Sequence, residues 1–190
     1  FAGALQDYGV ATLVGRPTYG KGVTQLLIPL SNGGVLKVTT QEYLTPNNRK
    51  VEGVGLAPDI PVQGSASQLA TAFRAAGGKT LQISHTQGNV TINGVRMRQS
   101  NAFYNHNGTW FVNGQFAAAV LGAEIRYDAA SRTVNLTRDG KILSLRIDDK
   151  RLHVANGVSA FDIRALAEWA PELHWNVEGN TVKLTLTAAG

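Results

Sequence analysis

The sequence predicts an α+β fold in two parts, and three observations lead to it. Short β-branched runs separated by turn residues fill positions 10–46. Helical spacing appears at the start of the chain and again near residue 65. From about residue 79 short strands and Asn-Gly turns take over, and a segment repeats within them.

"FAGALQDYG" places Phe1, Leu5 and Tyr8 at helical spacing and stops at Gly9, without an N-cap or an initiator Met. It reads as the back half of a helix, so the chain is expected to begin inside a larger protein. "VATLVG" reads as a short buried strand, and "VTQLLIPL" (23–30) as a strand that Pro29 ends or confines to an edge. "SNGG" (31–34) is a turn cluster, with "VLKVTTQEYLTP" (35–46) as partner strand. The Gly- and Pro-punctuated segment 47–62 is expected to wind over the surface.

"SASQLATAFRAAGG" (65–78) predicts a helix with Ser65 or Ser67 as cap and Gly77–Gly78 as terminator. Leu69, Ala72, Phe73 and Ala76 make its apolar face. Further on, "IRYDAASRTVNLT" (125–137) aligns with "LHWNVEGNTVKLT" (173–185) at a constant offset of 48 residues. Helical stretches at 114–124 and 159–172 precede the two copies, and Asn-Gly recurs ahead of each, in "VTINGV" (90–95) and "LHVANGV" (152–158). Each unit reads as strand, turn, helix and hairpin, and two units can bury the apolar faces that one exposes. The expected division is 1–64, a helix and linker over 65–87, and a repeat domain over 88–190 with copies at about 90–137 and 152–187.

Composition narrows the function. A hydrophobic fraction of 43% and a charged fraction of 16% describe an ordinary folded protein. The 18 Lys and Arg against 13 Asp and Glu are scattered, whereas nucleic-acid binders gather their cations into a patch; no nucleic-acid partner is expected. There is no cysteine, so disulfides, thiolate metal sites and a Cys nucleophile are excluded. No apolar run approaches the ~20 residues of a membrane helix. His85, His106, His153 and His174 are dispersed in sequence, so neither metal nor cofactor is expected. Trp110, Phe111, Tyr127, Trp169 and Trp175 fit core packing better than a carbohydrate-binding face.

The stretch "GRPTYGKGVTQ" (15–25) comes close to a phosphate-binding loop. Gly15, Gly20 and Lys21 fit G-x-x-x-x-G-K-[ST], but Gly22 stands where the metal-ligating Ser or Thr belongs, and a strand-like run follows instead of a helix. Nucleotide binding is therefore not expected.

Residues 2–60 as a whole resemble the C-terminal processing (tail-specific) serine peptidases of the S41 family. The blocks "ATLVG", "TYGKG", "IPLSNGG", "LKVTT", "YLTP" and "GVGLAPD" carry the resemblance in order. It implies a fragment of the S41 core (helix end, strands, hairpin) and a Ser/Lys dyad, with Lys21 as general base and Gln25 as the glutamine that orients it. An ordinary lysine, with pKa ~10.4, is protonated at neutral pH; partial desolvation lowers that value and frees the amine to take a serine proton. The family's nucleophilic serine lies about 25 residues before the lysine, upstream of Phe1. Ser31 sits in a turn, and Ser65 and Ser67 are read as caps, so none replaces it and the isolated chain is expected to be inactive.

Residues 88–187 resemble the stalk-like repeat domain named after the N-terminal region of copper amine oxidases, on "GAEIRYDAASRTVNLT" and "PELHWNVEGNTVKLT". Despite the name, that resemblance implies no copper. Together the two resemblances imply an exported (secreted, periplasmic or cell-surface) peptidase acting on peptide or protein C-termini, with cell-wall contact through residues 88–187. The competing expectation is a non-catalytic anchoring module, binding cell wall or a partner, built on a peptidase remnant.

Overall fold

The computed structural model describes residues 1–187, an α+β chain that divides into two compact units, Phe1–Pro61 and the residues from Val62 onward. The first unit contains α1 (Ala2–Asp7), β1 (Val14–Gly15), β2 (Val23–Pro29), β3 (Val35–Glu42) and β4 (Ile60–Pro61). Its strands behave as their composition directs. β2 and β3 form an antiparallel hairpin closed at Leu30–Gly34, and β2 ends at Pro29, which cannot donate to the ladder. The register shifts between Thr24 and Gln25 because Thr40 of β3 is left unpaired, a β-bulge. Only Val14–Gly15 of "VATLVG" is strand, pairing in parallel with β4.

Polar groups rather than apolar ones tie α1 down. Asp59 accepts from Leu13 N at 2.7 Å and from Gln6 Nε2 at 2.8 Å. Asp7 accepts from Asn47 N at 2.8 Å and pairs with Arg49. Burial pushes the Asp7 carboxyl up, but hydrogen bonds from Thr45, Asn47 and Arg49 outweigh it and hold the group below the usual carboxylate range.

The second unit contains α2 (Ser65–Ala75), β5 (Thr80–Thr86), β6 (Asn89–Ile92), β7 (Val95–Arg98), β8 (Phe103–His106) and β9 (Thr109–Asn113). These are followed by α3 (Gly114–Leu121), β10 (Glu124–Asp128), β11 (Thr133–Arg138), β12 (Lys141–Arg146), β13 (Leu152–Ala155), β14 (Val158–Asp162), α4 (Ile163–Trp169), β15 (Leu173–Glu178) and β16 (Thr181–Thr187). Three sheets run β10-β11-β12, β13-β14-β9-β8 and β15-β16-β5-β6-β7. One core joins them to the helices, with Phe103, Phe116 and Phe161 at its centre.

The stretch 65–87, expected as a helix and linker, is built into this unit. "TLQISHT" alternates in burial, so Leu81, Ile83 and His85 face the core and β5 sits mid-sheet. Nor do Ser65 and Ser67 cap α2. The N-cap position is Gly64; Gln99 Oε1 accepts from Ala66 N at 3.0 Å, and Ser67 is buried. A side chain 33 residues away in sequence takes the capping role, which no local pattern reveals. The Gly77–Gly78 stop holds, with Gly78 N bonded to Phe73 O.

The repeat is present in a shifted form. Asn107–Gly108 and Asn156–Gly157, both at positive φ, close the hairpins β8–β9 and β13–β14. A helix follows each hairpin directly, capped by Asn113 in one copy and Asp162 in the other. Asn93–Gly94, expected as the counterpart of Asn156–Gly157, turns β6 into β7 in a different sheet. Identical turn chemistry made the two indistinguishable in sequence. Arg138 ties the copies together: it pairs with Glu172, donates to Leu121 O at 3.1 Å and lies 5.4 Å over the Trp169 ring.

His85 is 6% exposed, stacks on Phe103 at 5.2 Å and meets the edge of Trp110, with neither ring nitrogen bonded. Burial pushes its pKa below 6.5 in the folded state. Because the unfolded chain then binds a proton that the folded one refuses, the stability is fully present above about pH 6.5 and is lost as pH falls below it. Chemical denaturation at pH 7.5 and pH 5 is expected to show a larger loss in the parent than in His85→Phe. Equal losses would contradict this.

Candidate active site

The segment between β1 and β2 carries Lys21, and its path is set by contact with the loop 51–56. Thr18 N donates to Leu56 O at 3.0 Å, Leu56 N returns a bond to Thr18 Oγ1 at 2.9 Å, and Gly53 N donates to Gly20 O at 2.8 Å. Beyond Lys21, Gly22 N donates to Glu52 Oε2 at 2.6 Å while Gly22 O accepts from Tyr43 N at 2.8 Å. The Tyr43 hydroxyl donates to Lys21 O. Gly22 is required by space: a Cβ there would stand 2.4 Å from Glu52 N and 2.9 Å from Glu52 Cα. After Gly22 the chain enters β2, so the loop lies between strands and no helix N-terminus follows it to receive a phosphate.

Lys21 is exposed and lines a cleft of about 390 Å³ together with Phe1, Tyr19, Tyr43, Thr45 and Leu56. Gln25 lies on β2 beside the bulge, where Nε2 donates to Thr39 Oγ1 at 3.2 Å across the hairpin. The bulge is legible only once the two strands are paired. Ser31 sits past the other end of β2, in the turn to β3. Glu52 and Tyr43, which hold the backbone around Lys21, carried no signal in the sequence beyond the place of Tyr43 in the "YLTP" block and of Glu52 just before "GVGLAPD".

In the second unit the dispersed histidines are partly brought together. His106 and His153 stack at 5.1 Å, and the Tyr104 hydroxyl meets His153 Nδ1. Among the described residues no group of three or more His, Asp or Glu is placed to hold a metal ion. Phe111 is buried and Trp110, Trp169 and Trp175 pack on the core, while Tyr127 is exposed.

Residues 1–62 match the family model of peptidase family S41, and residues 91–168 match that of the copper amine oxidase N-terminal domain. The chain is 37% identical over 87 residues to a carboxy-terminal-processing protease of Bartonella bacilliformis, covering 46% of this chain and 20% of the relative. It is 31% identical over 111 residues to a probable CtpA-like serine protease of Staphylococcus saprophyticus, covering 58% and 22%. A third relative, the chloroplastic carboxyl-terminal-processing peptidase 3 of Arabidopsis thaliana, is 48% identical over 59 residues, covering 31% and 11%. The chain thus spans about a fifth of the length of the first two relatives.

Substituting Gly22→Ala forces the 20–22 and 51–55 backbones apart. The expected cost is about 1–3 kcal/mol, the usual penalty for adding a methyl where no room exists. Hydrogen exchange at the Gly53 and Tyr43 amides, which both bond this loop, is expected to accelerate; unchanged protection would contradict the reading.

Proposed function

We propose that this chain is the C-terminal portion of an exported serine endopeptidase of the C-terminal processing type, with residues 1–62 completing its catalytic domain. Lys21 is the general base and Gln25 its positioner. The observation that carries the reading is the backbone clamp around Lys21 within a segment that matches the S41 model along its whole length. A lysine that merely decorated a surface turn would not need its neighbours on both sides bonded to a second loop. The apolar residues Leu26, Leu27, Ile28, Val35 and Leu36 of the β2–β3 hairpin give further support. They are exposed, as expected where further parts of a larger domain pack.

In the proposed reaction the neutral Lys21 amine takes the proton of a serine hydroxyl as its oxygen attacks the substrate carbonyl carbon. The resulting ammonium donates that proton to the departing amine, which leaves an acyl-serine ester. Water then attacks the ester, Lys21 again accepting the proton, and the serine is released. Here the serine is supplied by a part of the protein outside these 190 residues, so the chain alone is inactive. Lys21 is exposed among the described residues. The desolvation that keeps an amine neutral is therefore assigned to whatever closes over the cleft. The substrate is a peptide or protein C-terminus, and residues 88–187 form a stalk that contacts cell wall or a partner.

The test is Lys21→Ala in the full-length protein, assayed on a peptide with an apolar tail. Loss of a general base lowers kcat by about 10²–10⁴-fold, with KM little changed. Turnover equal to the parent's would overturn the assignment of Lys21, whereas a full-length parent without turnover would favour a non-catalytic anchoring module. Hydrolysis by the isolated 190-residue chain would equally refute the placement of the serine elsewhere.

A further inference from the structure

One carboxylate beside Lys21 has no part in the reaction just described. Glu52 Oε2 accepts from Gly22 N at 2.6 Å, a charge-assisted bond that is about twice as strong as a neutral one. Glu52 belongs to a tight turn in which Val51 O accepts from both Val54 N and Gly55 N, and Gly53 N returns to Gly20 O. The residue before Lys21 and the residue after it are therefore both gripped by this one turn. The grip matters most at Gly22, because a glycine has no side chain to limit its own backbone angles. Without the Glu52 bond, the orientation of the peptide that follows Lys21 would be restrained only through Tyr43.

The direction of the carboxylate is also chemically apt. A carboxylate paired with the Lys21 ammonium would favour the protonated form and oppose a base. The ion pairs within residues 1–61 are Arg49–Asp7 and Lys50–Glu42, and neither involves Lys21 or Glu52. Glu52 is directed at an amide, where it orders the loop.

We propose that Glu52 is a positioning residue for Lys21, acting through the Gly22 amide to hold the lysine's backbone in the orientation from which it reaches the serine. This rests on the reading of Lys21 as base. Displacement of a reacting group by about 1 Å can cost 10²-fold in rate, so a freed loop shows in kcat more than in KM.

The experiment compares Glu52→Ala, Glu52→Asp and Glu52→Gln in the full-length protein, with the same apolar-tailed peptide. Gln keeps an acceptor oxygen at the same reach, whereas Asp keeps the charge but is one methylene shorter. Ala and Asp are expected to lower kcat roughly 10- to 100-fold with KM within about twofold, and Gln to stay within about threefold of the parent. Should the Ala variant fail to fold, the Asp and Gln pair decides: slow Asp with fast Gln supports positioning, and any other ordering overturns it. Parent-level kcat in Glu52→Ala also overturns it. Lys21→Ala in the same assay separates the two failures. An active Lys21→Ala protein removes the base assignment itself, whereas an inactive one beside a fully active Glu52→Ala removes only the role of Glu52.

Discussion

Two stretches of backbone meet at Gly22 and Glu52 more closely than any side chain at position 22 would permit, and much of the first unit follows from that approach. With the 20–22 and 51–55 segments in contact, amides and carbonyls on each can bond the other, and a carboxylate can reach an amide directly. Tyr43 closes the arrangement from the end of β3, so strand, hairpin and loop are locked to a single residue, Lys21. This unit has few large buried side chains; Val51 and Leu56 are the large apolar ones. Its order therefore depends on directional bonds that hold only at close range.

The second unit is built the other way. Alternating strands and short helices bury phenylalanines and aliphatic residues in one continuous core, hydrogen-bonded ladders hold its three sheets, and the Asn113 and Asp162 side chains start two of its helices. Each repeat presents a hairpin and then a helix. The third strand beside the second hairpin of each copy has a different source, however: β12 follows copy one in sequence, whereas β5 comes from far upstream for copy two. Arg138 spans the copies through an ion pair, a carbonyl and an aromatic face at once, which packing alone would not keep in register.

Where local chemistry sufficed, the sequence was readable. The hairpin at Leu30–Gly34, the Gly77–Gly78 helix stop and the Asn-Gly turns each depend on residues within a few positions of one another. Expectations went astray where a distant residue intervened. Gln99 rather than a serine serves the start of α2, "TLQISHT" is a central strand because β16 and β6 flank it, and Asn107–Gly108 rather than Asn93–Gly94 begins the first repeat. In the candidate site, Lys21 and Gln25 were singled out by the family resemblance, as expectations that it implies. The residues that grip the loop, Glu52 and Tyr43, were not, since nothing local distinguishes a carboxylate that bonds an amide from one facing water.

By itself the sequence determined the α+β class, the β2–β3 hairpin, the C-terminal stop of α2 and the internal repeat. These are consequences of backbone preferences and hydrophobic period, which act over a few residues. Only the tertiary structure decided which turn belongs to which repeat, where β5 lies, and which groups surround Lys21. Those outcomes depend on which surfaces are removed from water together and on hydrogen bonds between residues some 30 positions apart, as from Gly22 to Glu52.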